Sequence, residues 1–162
     1  MAMHTALLPS PIGPLYVEAD EHGLTKLYTD GHRLHADAGP DDGTFAEVAK
    51  QLDEYWAGER DTFDLPLSEH GTPFELAVWA RLREIPKGET VTYGELAREL
   101  GSAARAVGRA NGRNQISIIV PCHRVIGADG SLTGYAGGLD AKRALLDHEQ
   151  GVRSMDGVPQ PR

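Results

Sequence analysis

The chain has 162 residues, a net charge of −8 and a single cysteine. That length suits one domain or two small ones with a real core, and one cysteine excludes an internal disulfide framework, a multi-cysteine zinc site and a redox cycle that needs a resolving thiol. The negative charge argues at first against a nucleic-acid partner, but it is unevenly placed. Residues 1–70 hold 4 Lys and Arg against 14 Asp and Glu, whereas residues 71–162 hold 12 against 10.

The opening Met-Ala-Met-His-Thr-Ala-Leu-Leu-Pro-Ser lacks a basic region and has too short an apolar run for a signal peptide, and no later stretch could span a bilayer. A cytoplasmic protein is expected. Leu15–Ala19 and Leu24–Tyr28 read as strands joined at Glu21-His22-Gly23, a small antiparallel sheet. Residues 30–43 read as loop, and His4, His22, His32 and His35 match no helical metal pair and are read as surface residues. Phe45–Trp56 has a helical period closed by Gly58, Phe63–Leu67 reads as an edge strand because of Pro66, and Ser68–Gly71 as a linker.

Thr72-Pro73-Phe74-Glu75 is a capping box with proline at the first helical position, opening a helix with Phe74, Val78, Leu82 and Ile85 on one stripe. A second box, Thr92-Tyr93-Gly94-Glu95, opens a short helix to Leu100. Gly101-Ser102 serves as stop and new cap, and Ala103–Asn111 forms a third helix, the pattern of a helix-turn-helix. That third helix is slim, and Arg105, Arg109 and Arg113 share a face if it runs far enough. From Gly101 to Arg124 there are four arginines and no acid. The stripe is either a local nucleic-acid footprint or a solvated helix face.

Ile116–Val120 reads as a buried strand running into Pro121, followed by Cys122, His123 and Arg124. A turn at Pro121 would let thiol and imidazole share a pocket, with nearby N–H groups and a cation favouring the thiolate; the alternative is that Cys122 is a small core hydrophobe. Val125–Ala128 continues into a turn at Asp129-Gly130-Ser131. The glycine-rich run Leu132–Gly138 lacks the lysine of a P-loop. Asp140 is expected to cap a last helix with Ala141, Ala144, Leu145 and His148 on one stripe. Glu149 lies near that stripe, where a carboxylate needs a partner such as an imidazole. The tail from Val152 is expected to be disordered.

Pro121-Cys122-His123-Arg124-Val125, with Ala104–Gly108 and Asn114 before it and Gly134–Leu139 and His148-Glu149 after it, resembles the O6-alkylguanine-DNA alkyltransferases, also called methylated-DNA–protein-cysteine methyltransferases. The likeness covers residues 72–151 densely, and Ser10–Leu15 and Tyr55–Glu59 are similar to the family's N-terminal domain. It implies an α+β protein of two small domains. These are an N-terminal α/β domain over residues 1–70 and a mainly helical, winged-helix-like DNA-binding and acceptor domain over residues 71–151. It further implies a single-turnover methyltransferase that repairs double-stranded DNA by taking the alkyl group of O6-alkylguanine, with O4-alkylthymine a possible second substrate. No cofactor, metal, membrane or obligate protein partner is implied, and the protein would act as a monomer.

By position, the resemblance makes Cys122 the acceptor, His123 its base through a water, Glu149 the group that holds His123, Tyr93 the proton donor to N3 of guanine and Asn114 the organiser of the turn. Thr92, Tyr93, Arg105, Ala106, Arg109 and Arg124 would contact DNA, with Arg105 entering the base stack. Val125, Tyr135, Ala136 and Gly137 would line the base pocket. Ala136 stands where many relatives have serine, so a hydroxyl contact is lost there while the backbone N–H stays. The lone cysteine argues against the zinc that some relatives bind, and the stretch before Ser10 is expected to be too short for a fused zinc domain. A Cys-His-Glu hydrolase and a non-catalytic sensor of alkylated bases are the competing readings.

Overall fold

The computed structural model describes residues 3–29, 43–132, 135 and 138–151. The expectations for residues 30–42, for Ala136 and Gly137 and for the tail from Val152 lie outside the described residues.

Strands β1 (His4–Leu8), β2 (Leu15–Asp20) and β3 (Gly23–Tyr28) form an antiparallel sheet in the order β1-β2-β3. β1 was not expected from the sequence, and it supplies the alternation of Ala6 and Leu8 inward that a half-buried strand requires. The β2–β3 turn is tight because Asp20 Oδ1 accepts from the N–H groups of His22 (2.8 Å) and Gly23 (3.2 Å). Gly23 sits at φ 146°, and a Cβ there would run into the carbonyl of Pro66. That close approach matters, because β3 carries the rest of the chain on its free edge. Leu24 N donates to Pro66 O (3.0 Å) and Ser68 N to Leu24 O (2.8 Å), while Leu27 N donates to Gln115 O (2.8 Å) and Ser117 N to Leu27 O (3.0 Å). The edge strand expected at Phe63–Leu67 is thus reduced to a single bridge at Leu67.

Helix α1 (Ala46–Trp56) buries Val48, Leu52, Tyr55 and Trp56 of the stripe read from the sequence, and Gln51 besides, while Phe45 precedes the helix as its cap. Helix α2 (Pro73–Leu82) starts with the expected capping box: Glu75 N donates to Thr72 Oγ1 (3.1 Å) and Thr72 N to Glu75 Oε1 (3.0 Å). It ends at Leu82, and Ile85 reaches the core from the following turn. Strand β4 (Val91–Thr92) leads straight into α3 (Tyr93–Leu100), whose box at Thr92 and Glu95 is also formed and whose end is Gly101 in the left-handed region. The next helix, α4 (Ala104–Gly112), is capped by Ala103 without a side-chain hydrogen bond, so Ser102 is not the cap that was expected. It stops one residue short of Arg113, whose Nη1 lies 3.1 Å from Glu75 Oε2. That arginine therefore braces α4 against α2 and does not continue the basic stripe.

A 3-10 turn (Cys122–Arg124) follows, then β5 (Val125–Ile126), parallel to β4, and helix α5 (Leu139–Gln150). α5 is preceded by Gly138 at φ 98°, so the capping role expected of Asp140 falls to a glycine one residue outside the helix. Buried apolar residues from both halves, from Ala6 and Leu27 to Val120 and Leu145, form one continuous cluster.

Candidate active site

The stretch before the cysteine is not the strand its β-branched residues suggested. Ile116 alone bridges to Leu27. After it the chain makes two three-residue turns, closed by Ile119 N to Ser117 O (2.8 Å) and Cys122 N to Val120 O (2.8 Å). The first is centred on Ile118 at φ 72°, a left-handed conformation that a β-branched residue adopts only under strain of about 1–3 kcal/mol. The second is centred on Pro121 at φ −83° and ψ 67°, the turn that the proline was expected to supply.

Asn114 holds this path. Its Oδ1 accepts from Ile116 N (3.0 Å) and its Nδ2 donates to Val120 O (2.8 Å), so one side chain bridges the two ends of the double turn. Asn111, which the sequence did not single out, donates from Nδ2 to Cys122 O (3.3 Å). Both asparagines are buried at the end of α4 or just beyond it, so the arginine-bearing helix and the cysteine are mechanically joined.

Cys122 is buried. Burial pushes its thiol above the ordinary value, and hydrogen bonding to Asn114, the positive charge of Lys142 and contact with Ser117 oppose that rise. His123, the next residue, is fully buried and its Nε2 lies 2.7 Å from Glu149 Oε2. Although burial opposes ionisation of Glu149, the charges and hydrogen bonds of His123 and Arg124 hold its carboxyl far below the usual carboxylate range. An ionised carboxylate only accepts, so Nε2 of His123 must carry a proton, and in the neutral imidazole Nδ1 is then the nitrogen with the lone pair. Among the described residues that buried Nδ1 has no hydrogen-bond partner. A base with its acceptor nitrogen unpaired follows a thiol directly in the chain.

Arg124 is placed otherwise than expected. Nε and Nη2 donate to Glu149 Oε1 and Oε2 (2.9 Å each) and Nη1 donates to Ile85 O (2.7 Å), so the side chain is buried and its donors are engaged within the protein. A planar guanidinium beside a buried carboxylate is better satisfied by that two-pronged pairing than by solvent. Tyr55, from α1, donates its hydroxyl to Glu149 Oε2 at 2.6 Å. The sequence offered no signal for that contact, because 94 residues separate the two and a tyrosine on an apolar helix stripe reads as core.

On the other flank, Lys142 is fully buried, and its Nζ donates to Val125 O (2.7 Å) and lies 6.0 Å from the centre of the Tyr93 ring. Burial lowers its basicity, and the proximity of Cys122 works against that. Lys142 also went unread in the sequence, where it was one of two adjacent cations, with Arg143, on the last helix. Tyr93 opens α3 half-buried and Thr92 caps it. A Cβ on Gly108 would sit 3.9 Å from the Tyr93 ring, so α4 passes close beside that ring. The Tyr135 hydroxyl is buried near Cys122, Ser117 and Thr29, and burial with the neighbouring thiol's charge raises its ionisation well above the ordinary phenol value. Val125 is buried at the start of β5.

Arg105 and Arg109 project from α4 into solvent, and no carboxylate pairs with either among the described residues. Ala106 is half-buried between them. A separate cleft of about 590 Å³ is lined by residues such as Phe63, Leu67, Ile85 and Lys87, and of the acceptor region it touches Ile118, Ile119, Pro121 and Arg124 but not Cys122 or His123. The arrangement couples a buried thiol, a tautomer-fixed imidazole, a held carboxylate and a half-buried phenol to an exposed cationic helix.

The family model described as 6-O-methylguanine DNA methyltransferase, ribonuclease-like domain, matches residues 3–68, and that described as 6-O-methylguanine DNA methyltransferase, DNA binding domain, matches residues 73–151. The methylated-DNA–protein-cysteine methyltransferase of Methanosarcina acetivorans is 49% identical over 154 residues, covering 91% of this chain and 98% of that protein. The Mycobacterium tuberculosis protein of the same name is 49% identical over 161 residues, covering 95% and 96%. The crystal structure of Mycobacterium tuberculosis O6-methylguanine methyltransferase superposes with a TM-score of 0.84 at 47% identity, covering 96% of this chain and 97% of that one. That of Mycobacterium tuberculosis OGT in complex with DNA superposes with a TM-score of 0.82 at 48% identity, covering 96% and 95%.

Proposed function

The chain belongs to the methylated-DNA–protein-cysteine methyltransferase family, and from that premise we propose that it repairs O6-alkylguanine in double-stranded DNA by moving the alkyl group irreversibly onto Cys122. The observation that carries this reading is the relay. His123 is locked by Glu149 with Nδ1 as acceptor, and it directly follows the single thiol, which is buried beside Lys142.

In the step itself the thiol proton passes by way of a water to His123 Nδ1, and the sulfur attacks the alkyl carbon. An S–C bond forms as the C–O6 bond breaks, and the electron pair leaves with the guanine, which takes a proton at N3 from Tyr93. A soft thiolate suits attack on a saturated carbon, and a thioether is a very poor leaving group. With one cysteine in the chain, no second thiol can receive the group, so each molecule reacts once.

The alkyl carbon is inaccessible inside a duplex, and extruding the nucleotide costs roughly a few kcal/mol. α4 is suited to that task. Arg105 would fill the gap in the stack, Ala106 would lie against the minor groove, and Thr92, Tyr93 and Arg109 would contact the flanking backbone. Val125 and Tyr135, with Ala136 and Gly137, would line the base pocket. Residues 1–70 and 71–151 would form the supporting and DNA-binding units of a monomer. The cytoplasm is the location that goes with a DNA substrate and a thiol that must stay reduced.

Intact-protein and peptide mass spectrometry after mixing with a duplex containing one O6-methylguanine tests the reading. A gain of about one methyl group, ~14 Da, on the Cys122 peptide, ending at one equivalent, is expected. An unmodified protein that still binds the lesion would make it a sensor. One that neither binds nor reacts, while its thiol stays reactive, would favour a hydrolase.

A further inference from the structure

We propose that Tyr55, supplied by the N-terminal half, is a positioning residue of the acceptor site, whose phenol hydroxyl sets how the Glu149–His123 pair shares its proton. The inference rests on the reading of His123 as the base. Glu149 Oε2 accepts from three donors, Tyr55 Oη (2.6 Å), His123 Nε2 (2.7 Å) and Arg124 Nη2 (2.9 Å), whereas Oε1 accepts from Arg124 Nε alone among the described residues. An oxygen with two lone pairs in the carboxylate plane cannot serve three donors equally, so the phenol and the imidazole compete for the same charge.

Tyr55 is held to deliver that hydroxyl. Its ring is fully buried, with ring centres 4.9 Å from Trp56, 5.5 Å from Phe63 and 4.9 Å from His148. Its own carbonyl accepts from His148 Nε2 at 2.9 Å. Tyr55 therefore grips two successive residues of α5, one through the main chain and the next through the hydroxyl. Burial and the adjacent carboxylate keep the phenol protonated, so it stays a donor across the working pH range. The other charged or titratable groups facing this cluster are Arg124, Lys87 at 5.8 Å from the Tyr55 ring centre, His148 and Tyr135. A purely structural residue at this position would need the ring but not the hydroxyl.

Removing the hydroxyl leaves more of the carboxylate's charge to His123. The Nε2–H···O bond tightens and the imidazole gives up its proton less readily, so the neutral Nδ1 that transfer needs is depleted at acid pH. The test is the full-length Tyr55→Phe variant beside wild type and Phe63→Leu, which disturbs the packing of the Tyr55 ring without touching the hydroxyl. In Tyr55→Phe the downfield proton resonance of His123 Nε2–H should move further downfield, and the acid limb of the single-turnover transfer rate should move up by about half a pH unit or more. The alkaline plateau should stay within about threefold of wild type. Phe63→Leu should lose stability and move neither. Superimposable pH profiles and an unmoved resonance in Tyr55→Phe would overturn the proposal, whatever its stability. If the resonance moves but wild type is never alkylated, Tyr55 still positions the pair and the reading of the protein as an alkyl acceptor fails.

Discussion

Glu149 is the residue on which the site converges, and its replacement separates chemistry from stability. Glu149→Gln keeps the shape but removes the charge that fixes the His123 tautomer and that neutralises the buried Arg124. Breaking a buried pair at one partner costs about 3–5 kcal/mol, and the transfer rate should fall by at least about tenfold because Nδ1 is no longer held as the acceptor. Urea unfolding and single-turnover transfer on the same preparation check both, and a variant that reacted at the wild-type rate would show that the tautomer needs no carboxylate to hold it. Cys122 and His123 stood out in the sequence as a lone thiol and an imidazole at a proline turn and Glu149 as a carboxylate near an apolar stripe, whereas Asn114 entered only through the family resemblance. Arg124 was misread for a physical reason: a cation beside a thiol looks equally suited to DNA or to a buried carboxylate, and only the approach of α5 decides. Tyr55 and Lys142 were invisible because each belongs to a helix face whose pattern is already accounted for by packing or by solvent.

At the scale of elements, the caps were legible and the loop was not. Both capping boxes form as their Thr-x-x-Glu spacing predicts, because a cap depends on residues within one turn. Ile116–Val120 had the composition of a strand, yet the side chain of Asn114 and the edge of β3 pull it into turns, and such long-range contacts leave no local signature. Thr92→Ala should lower stability by about 1 kcal/mol. Because it also loosens the first turn carrying Tyr93, it should slow transfer on duplex DNA. Thermal unfolding and transfer kinetics measure the two effects, and a stability loss with an unchanged rate would confine Thr92 to a structural role. The α4 arginines lend themselves to a salt titration. Arg109→Ala should reduce the slope of log affinity against log salt by about one, as expected for a lost phosphate contact. Arg105→Ala should instead slow transfer in duplex DNA more than reaction with free O6-benzylguanine. Equal losses on both substrates would remove Arg105 from the extrusion step.

The whole molecule joins an acidic N-terminal half to an acceptor unit through a buried polar seam, and that seam should govern its response to acid. His148 is buried against Tyr55, and burial lowers its affinity for a proton. The unfolded chain therefore binds a proton that the folded chain refuses, so stability is full above an unfolded histidine value of about 6.5 and declines as pH falls towards the lower folded value. Glu149 acts in the same direction further down. Its folded carboxyl is held far below the unfolded value of about 4.3, so its contribution is complete above that pH and is lost progressively beneath it. The capping-box carboxylates Glu75 and Glu95 shift the same way, and for the exposed Glu95 solvent screens the effect. Urea midpoints should therefore fall in two stages, one beginning near pH 6.5 and one near pH 4.3. His148→Gln, whose amide can still donate to Tyr55 O, should remove the first stage and leave the second. A single acid transition shared by wild type and this variant would mean that His148 accepts its proton without opening the seam, and that the two halves are joined more loosely than the Tyr55 contacts require.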